Sequence, residues 1–399
     1  MPSSKKNKVL HLARWYPNRY DPMPGLFIQR HAEAANSCCD VGVVYTHQVE
    51  EAQPGNSTYD IDFDVISGVP TAKVYYLSSK FKVFSFNKLI NVFRFFRANY
   101  IGIKQVKKHL GNFSMMHIHV LTRLGVIALY YSLFHGKPYI ITEHWSRYLD
   151  LTGSFKGFFR KLITLLVVRH ASFVTAVTNN LAKAMQSHKL LNDNYIVLPN
   201  VVDDVFFEKS YEKEIDTDKK VFVHVSCFED KSKNVSGLLR VIKKLSETRS
   251  DFMFKLIGDG MDMHWLVKYS DELGLTDNQV LFTGLLEGEK LVEQMATSDM
   301  LVIFSNYENF PVVINESLSL GVPVIATRVG GIPERIDDSV GILVDAGNED
   351  QLYASLISFL DNKTSFNTNE IKLRARAEFS SATVGHILCD LYNKTLAKH

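Results

Sequence analysis

Cysteine is scarce in this chain of 399 residues, with four in all: Cys38, Cys39, Cys227 and Cys389. No Cys-x-x-Cys pair occurs, and adjacent cysteines do not bridge each other easily. Zinc ligation and a disulfide framework are therefore disfavoured, and unpaired thiols are expected. Long apolar runs are also lacking. A strongly apolar run such as Leu162 to Val168 falls far short of the roughly 20 residues a membrane span needs. The basic start Met1–Lys8 is followed by only Val9-Leu10, which is no signal peptide, so a cytoplasmic protein is expected. A Gly-x-Gly-x-x-Gly fingerprint is missing too, which speaks against a dehydrogenase.

Charge of one sign is missing locally. Residues 79–110 hold eight Lys/Arg (Lys80, Lys82, Lys88, Arg94, Arg97, Lys104, Lys107, Lys108) and no Asp or Glu. The net charge of +2 hides an asymmetry: residues 1–200 carry 24 basic and 11 acidic side chains, and residues 201–399 carry 21 and 32. Such a split points to different partners for the two halves.

What is present is a grammar of short β-rich runs separated by helical patterns. In the second half the runs are 221–225, 252–257, 280–282, 300–304, 324–326 and 341–344. In the first they are 8–12, 41–45, 72–77, 115–119, 139–142, 173–177 and 196–198. Strands spaced by helices imply parallel sheets covered on both faces. A composition 46% hydrophobic and 22% charged fits a soluble globular chain. Its length suits two α/β domains, each doubly wound and Rossmann-like, facing each other across a cleft. The expected bounds are 1–203 and 204–381, with a C-terminal helix at 382–399 that could pack on either domain. Ligands of such sheets bind beyond the carboxyl ends of the strands.

The densest signal is Ser305-Asn-Tyr-Glu308-Asn309-Phe310-Pro311, followed by Glu316 and by Gly321-Val-Pro323. It sits at a strand's carboxyl end. Pro311 suits the first position of a helix, and Gly321 with Pro323 suits its end, which sets the helix at about 311–320. The amino end of that helix favours an anion such as a diphosphate. Each glutamate could clamp a pair of sugar hydroxyls.

These residues resemble the E-x7-E signature of family-4 retaining glycosyltransferases, here Glu308 and Glu316. Strand, glutamate, Phe-Pro, helix, second glutamate, Gly-x-Pro and Gly330-Gly331-Ile-Pro-Glu334 follow in that family's order. The resemblance extends over roughly residues 8–397 and implies the GT-B fold. It implies that Glu316 holds the ribose hydroxyls of a nucleotide sugar and that Glu308 contacts the transferred sugar. Backbone amides at Asn309 and Phe310, beside Pro311, would assist at the sugar and phosphates. Pro199-Asn200-Val-Val-Asp203 resembles the family's inter-domain joint, and Gly258-Asp-Gly260 its glycine turn. Where the family has Gly-Arg and then Lys, this chain has Cys227 and then Lys231 and Lys233. Lys233 is the expected diphosphate ligand, with Lys231 as a substitute cation. Gly25, after the first strand, could let backbone approach a phosphate or sugar. His144 matches the histidine that reaches toward the donor sugar. His119, Glu143 and Trp145 would lie on the acceptor side.

The reaction the resemblance implies retains anomeric configuration through front-side attack, the leaving phosphate helping to take the acceptor's proton. No cofactor is expected. No Asp-x-Asp metal motif of the other glycosyltransferase fold is read, so metal independence is expected as well. Between residues 79 and 110, Phe81, Phe84, Phe86, Phe93, Phe95 and Phe96 interleave the basic residues, and a helical stripe runs Leu89, Val92, Phe96, Ile103 and Val106. Two readings stay open: a helix on the sheet with a solvated basic face, or a surface resting on an anionic membrane, with Lys156–Lys161 as a second contact. The second suits a lipid-linked saccharide acceptor and a peripheral membrane location. The charge alone would suit nucleic acid, but no nucleic-acid motif accompanies it. Rival functions are a nucleotide-sugar 2-epimerase and a catalytically silent sugar-nucleotide or glycan-binding protein.

Overall fold

The structure is a computed structural model that describes residues 6–51, 57–80, 84–121, 123–149, 153–208, 211 and 219–399. The chain divides into two compact units, residues 1–201 with 381–399, and residues 202–380.

The first unit holds strands β1 (Lys8–Ala13), β2 (Asp40–Val49), β3 (Tyr59–Ile66), β4 (Val69–Leu77), β5 (Met115–His119), β6 (Tyr139–Glu143), β7 (Phe173–Ala176) and β8 (Tyr195–Val197). They form one sheet in the order β3-β4-β2-β1-β5-β6-β7-β8. Every pairing is parallel except β3 with β4. Helices α1 (Leu26–Asn36), α2 (Phe84–Leu110), α3 (Leu124–His135), α4 (Phe158–His170) and α5 (Asn179–Ser187) connect the strands, and the last helix, α14 (Ser381–Ala397), packs along α1. The central strands are apolar on both faces because helices cover both faces. Leu10, Leu12, Met116 and Ile118 face one core, and Val9, Val41, Met115 and Ile140 the other.

The second unit holds α6 (Val205–Glu208), β9 (Lys220–Val225), α7 (Asp230–Lys233), α8 (Val235–Ser246), β10 (Phe252–Ile257), α9 (Met263–Glu272), β11 (Val280–Gly284), α10 (Gly288–Ala296), β12 (Met300–Ile303), α11 (Val312–Ser319), β13 (Val324–Thr327), β14 (Gly341–Val344), α12 (Glu349–Leu360) and α13 (Thr368–Phe379). Its six strands run parallel in the order β11-β10-β9-β12-β13-β14. Helix α8 buries Leu238, Leu239, Ile242 and Leu245, one face at helical spacing. Side-chain caps begin α12 and α13, where Asn348 accepts from Gln351 N–H and Asn367 from Glu370 N–H.

Three sequence expectations need correction. Strand β3 was not foreseen. It reads Tyr-Asp-Ile-Asp-Phe-Asp-Val-Ile, an edge strand with aspartates on alternate positions and no continuous apolar run. Leu89 does not join the buried stripe of α2: it is 68% exposed, while Phe95, Ile103 and Val106 are buried. Phe81 and Lys82, and the side chain of Phe84, lie outside the described residues. Finally, a disulfide joins Cys38, just past α1, to Cys389 on α14, with Cα atoms 6.4 Å apart. The two helices pack side by side, which brings together thiols 351 residues apart in sequence. Cys39 is buried and Cys227 exposed, and both are free thiols.

Candidate functional site

In the second unit β9 lies between β10 and β12, so the winding of the chain reverses between β9 and β12. A crevice opens outside the carboxyl ends of strands at such a point. The segments leaving β9 and β12 meet there. Asn306 donates its backbone N–H to the Ser232 carbonyl (2.8 Å) and its side-chain amide to the Lys231 carbonyl (3.1 Å). These bonds set Lys233 Nζ 2.6 Å from Glu308 Oε1, and Ser305 Oγ donates to the same oxygen at 2.9 Å. The Lys233 and Glu308 side chains are only 16% and 10% exposed, so water screens the pair weakly.

Local chemistry explains each segment. Asn234 takes the left-handed conformation (φ 51°), which lets the single turn α7 end and α8 begin at once. The Asp230 carboxylate accepts from the Ser236 N–H and hydroxyl, both at 2.7 Å. On the far side, Gly330 has φ 56°, and a Cβ there would overlap the Glu308 carbonyl. Gly331 N–H donates to the Asn309 carbonyl at 2.8 Å. Gly330 is thus what lets the Glu308–Asn309 backbone lie so close. Gly258 and Gly260 likewise pack under the loop after β9, against the backbone of Ser226 and Phe228.

Helix α11 follows at Val312–Ser319. Pro311 is its N-cap rather than its first helical residue, because ψ of 122° keeps it extended. Glu316 stands in the second turn, half-buried, and Phe310 is partly buried against the core. Lys231 and Cys227 are exposed. The carboxylate of Glu308, the ammonium of Lys233 and the amino end of α11 therefore share one crevice edge. That arrangement offers cation, N–H donors and hydroxyl acceptors to a phosphorylated sugar.

The first unit has its own reversal between β1 and β5. Gly25, at φ 76°, caps α1, and a Cβ there would overlap the Trp15 carbonyl. Val120, just past β5, has φ 70°, a region β-branched residues avoid at a cost of about 1–3 kcal/mol. It is held by its N–H to the Thr142 carbonyl (2.9 Å). The next N–H, of Leu121, donates to Glu143 Oε2 at 2.9 Å. Glu143 is fully buried and also accepts from the N–H groups of His144 (3.0 Å) and Trp145 (2.9 Å). Burial pushes its carboxyl pKa up against those three bonds. Expected beside an acceptor, Glu143 in the structure braces two loops. Trp145 is half-buried, edge-on to Trp15 at 5.4 Å, with Arg147 over its ring at 3.5 Å.

His119 is fully buried and His144 is 9% exposed, with an Asn200 side-chain contact. Both belong to a group that sequence reading missed: His11, His31, His117 and Tyr392. Register pairs His11 with His117, and alternation puts His117 and His119 on one face of β5. The motif His-Ile-His beside a histidine on β1 was the available signal. Ring nitrogens of His11, His117 and His119, and of His31, His119 and His144, lie within 4.8 Å of one another. A metal could be reached by such sets, yet both nitrogens of His11, His117 and His119 are already in hydrogen bonds to neighbours.

One expectation about metals is corrected in the sequence itself. Asp60-Ile-Asp62-Phe-Asp64 does contain Asp-x-Asp spacing. It lies on edge strand β3, where Arg19 ion-pairs with Asp60 (2.7 Å) and with Asp62, so two of its carboxylates face a guanidinium.

Residues 205–378 match the family described as glycosyl transferases group 1, and residues 40–206 match glycosyltransferase family 4. The chain belongs to the group 1, family-4 glycosyltransferases. N-acetyl-alpha-D-glucosaminyl L-malate synthase of Bacillus anthracis is 31% identical over 190 residues, 45% of this chain and 48% of that protein. The matched part thus spans about half of that relative's length. The fold is GT-B. Sucrose-phosphate synthase from Thermosynechococcus elongatus superposes with a TM-score of 0.74 at 15% identity, over 99% of this chain and 100% of that one. Anabaena HepE in complex with UDP gives 0.69 at 17% identity, over 97% and 100%.

Proposed function

We propose that this family member moves a sugar from a nucleoside diphosphate donor to a saccharide acceptor, with retention of configuration. The observation that carries the proposal is the Lys233–Glu308 pair at the winding reversal of the second unit, beside the amino end of α11. The arriving diphosphate draws Lys233 from Glu308, which frees the carboxylate to take hydroxyls of the transferred sugar. Glu316 takes the ribose. Lys233, the amino end of α11 and the Asn309 and Phe310 amides then stabilise charge growing on the leaving diphosphate. Lys231 stands by as a second cation, and no metal is required.

The test is a panel of UDP-, GDP- and ADP-sugars with and without EDTA. Release of one nucleoside diphosphate, unchanged by EDTA, is expected. Conversion of the donor into an epimeric nucleotide sugar, without net release of nucleoside diphosphate, would favour the 2-epimerase. Donor binding with no turnover would favour a silent binding protein.

The acceptor is proposed to be lipid-linked and met at an anionic membrane surface. Residues 65–192 contain 18 Lys/Arg and only two acidic residues, Glu143 and Asp150. On the helices of that stretch Phe86, Phe93, Phe134, Phe158 and Phe159 are each more than 60% exposed. Exposed aromatics among cations fit a headgroup interface. No helix among the described residues is long and apolar enough to cross a membrane, so the contact would be peripheral, on the cytoplasmic face. Sedimentation with phosphatidylglycerol vesicles is expected for the native chain and should fall at least several-fold in a Phe158→Ser/Phe159→Ser/Lys161→Gln variant. Equal sedimentation of both would refute the surface. Arg94 is unsuitable for this test because it donates to the Leu77 carbonyl at 2.6 Å.

A further inference from the structure

A line of hydrogen bonds runs across the first unit's sheet. Thr175 Oγ1 donates to the Ile141 carbonyl at 3.2 Å and lies 2.7 Å from Thr142 Oγ1. Thr142 Oγ1 is 2.6 Å from His117 Nε2. His117 Nδ1 is 2.8 Å from the Tyr392 hydroxyl, which is 2.9 Å from His11 Nε2. His11 Nδ1 is 3.1 Å from His119 Nε2, and His119 Nδ1 is 3.4 Å from His144 Nε2. All these side chains are fully buried except His144, at 9% exposure.

We propose that Thr175 and Tyr392 are positioning residues that hold His144 in one tautomer, protonated on Nε2 and bare on Nδ1. A hydroxyl has one proton to donate, and a neutral imidazole has one N–H and one bare nitrogen. The rings are neutral: burial moves His11 down to about 3 and takes His117, His119 and His144 well below the usual imidazole range. The Ile141 carbonyl can only accept. Thr175 therefore gives its proton there and can only accept from Thr142. Thr142 has then given its proton and must accept from His117 Nε2–H. His117 Nδ1 is bare and takes the Tyr392 proton. The Tyr392 oxygen must then accept from His11 Nε2–H. By the same step His119 donates from Nε2 to His11, and His144 donates from Nε2 to His119. All four rings carry the proton on Nε2.

The other end of the line does not compete. At that end His144 Nδ1 and the side-chain oxygen of Asn200 are both buried, and no hydrogen bond between them fixes a direction. An amide presents either its amino group or its carbonyl oxygen, so it serves whichever direction the backbone carbonyl of Ile141 imposes. The reversed line would put the proton of every ring on Nδ1 and leave Ile141 without this donor. Tyr392 is the link that α14 supplies, one turn beyond Cys389. On the sugar-transfer reading above, and resting on it, His144 has no proton to deliver from Nδ1. It acts there as an acceptor that orients a hydroxyl or the Asn200 amide.

The test does not depend on turnover, so failure of the transfer reading leaves it intact. The full chain is labelled with 15N-histidine, and long-range 15N–1H spectra are recorded at pH 7.5, with rings assigned through single His→Gln variants. Four Nε2–H rings are expected for His11, His117, His119 and His144. In Thr175→Val, which removes the anchor while keeping the side chain's shape, the Nε2–H share of all four should fall together, and Thr175→Ser should restore it. Four Nδ1–H rings in the native chain would overturn the proposal, as would a Thr175→Val spectrum with the native pattern. If Thr175→Val does not fold, the native spectrum alone decides.

Discussion

Between pH 7 and pH 5.5 the first unit should lose most of its stability. His11 and His31 have pKa values driven down to about 3 and about 4 by burial, and burial also holds His117, His119 and His144 well below the ordinary imidazole value. In the unfolded chain the same rings titrate near the ordinary imidazole value of about 6.5. A depressed folded pKa contributes stability that is present above the unfolded pKa and lost as pH falls toward the folded one. The loss therefore begins near pH 6.5 and continues downward. Five rings that stay neutral when folded and take up protons when unfolded cost on the order of 6 kcal/mol over that interval. That is comparable to the whole stability of an ordinary domain. Denaturant midpoints at pH 7 and 5.5 would show it, with proton uptake on unfolding. A flat profile would mean that these rings take up protons as readily in the fold as in the unfolded chain.

Removing Lys233 should lower diphosphate release roughly 10²–10³-fold, the range typical of deleting one preorganised charge stabiliser. The ammonium does two things in this geometry. It is a half-buried cation at the crevice edge, and it holds Glu308 at 2.6 Å before a donor arrives. Lys233→Ala leaves a carboxylate that is 10% exposed with Ser305 as its described side-chain partner, so donor affinity should also suffer. Glu308→Gln separates the two roles. It keeps hydrogen-bonding shape but loses the charge, so turnover should fall while nucleotide affinity changes little. Equal activity of both variants and the native chain would remove this crevice from the mechanism.

The two sheets were legible because parallel strands covered on both faces read as short, nearly continuous apolar runs, as at Val221–Val225 and Met300–Phe304. Strand β3 was not, because an edge strand alternates and its aspartates resemble a loop. The attachment of α14 was left open by its apolar stripe alone. Pairing with α1 through Val384, Leu388, Leu391 and Tyr392 decides it. At the site, Glu308, Glu316 and the helix between them could be read locally, since one strand-turn-helix unit carries them all. The approach of Lys233 to Glu308 spans 75 residues and depends on Asn306 bonding the 231–232 backbone, which no spacing encodes. The histidine line was hidden for the same reason. It needs the β1–β5 register, the β6–β7 pairing and a tyrosine 275 residues from His117. The Cys38–Cys389 bond was missed because only helix packing joins its ends.

The claim on which the account turns is that the nucleotide sugar sits at the winding reversal of the second unit. Hydrogen exchange of the full chain, with and without a saturating nucleoside diphosphate donor, measures this directly. Slowed exchange concentrated in residues 226–236 and 305–316 is the predicted result, with the effect lost in Lys233→Ala at the same donor concentration. Donor binding that leaves those two segments unchanged would contradict the placement of the site.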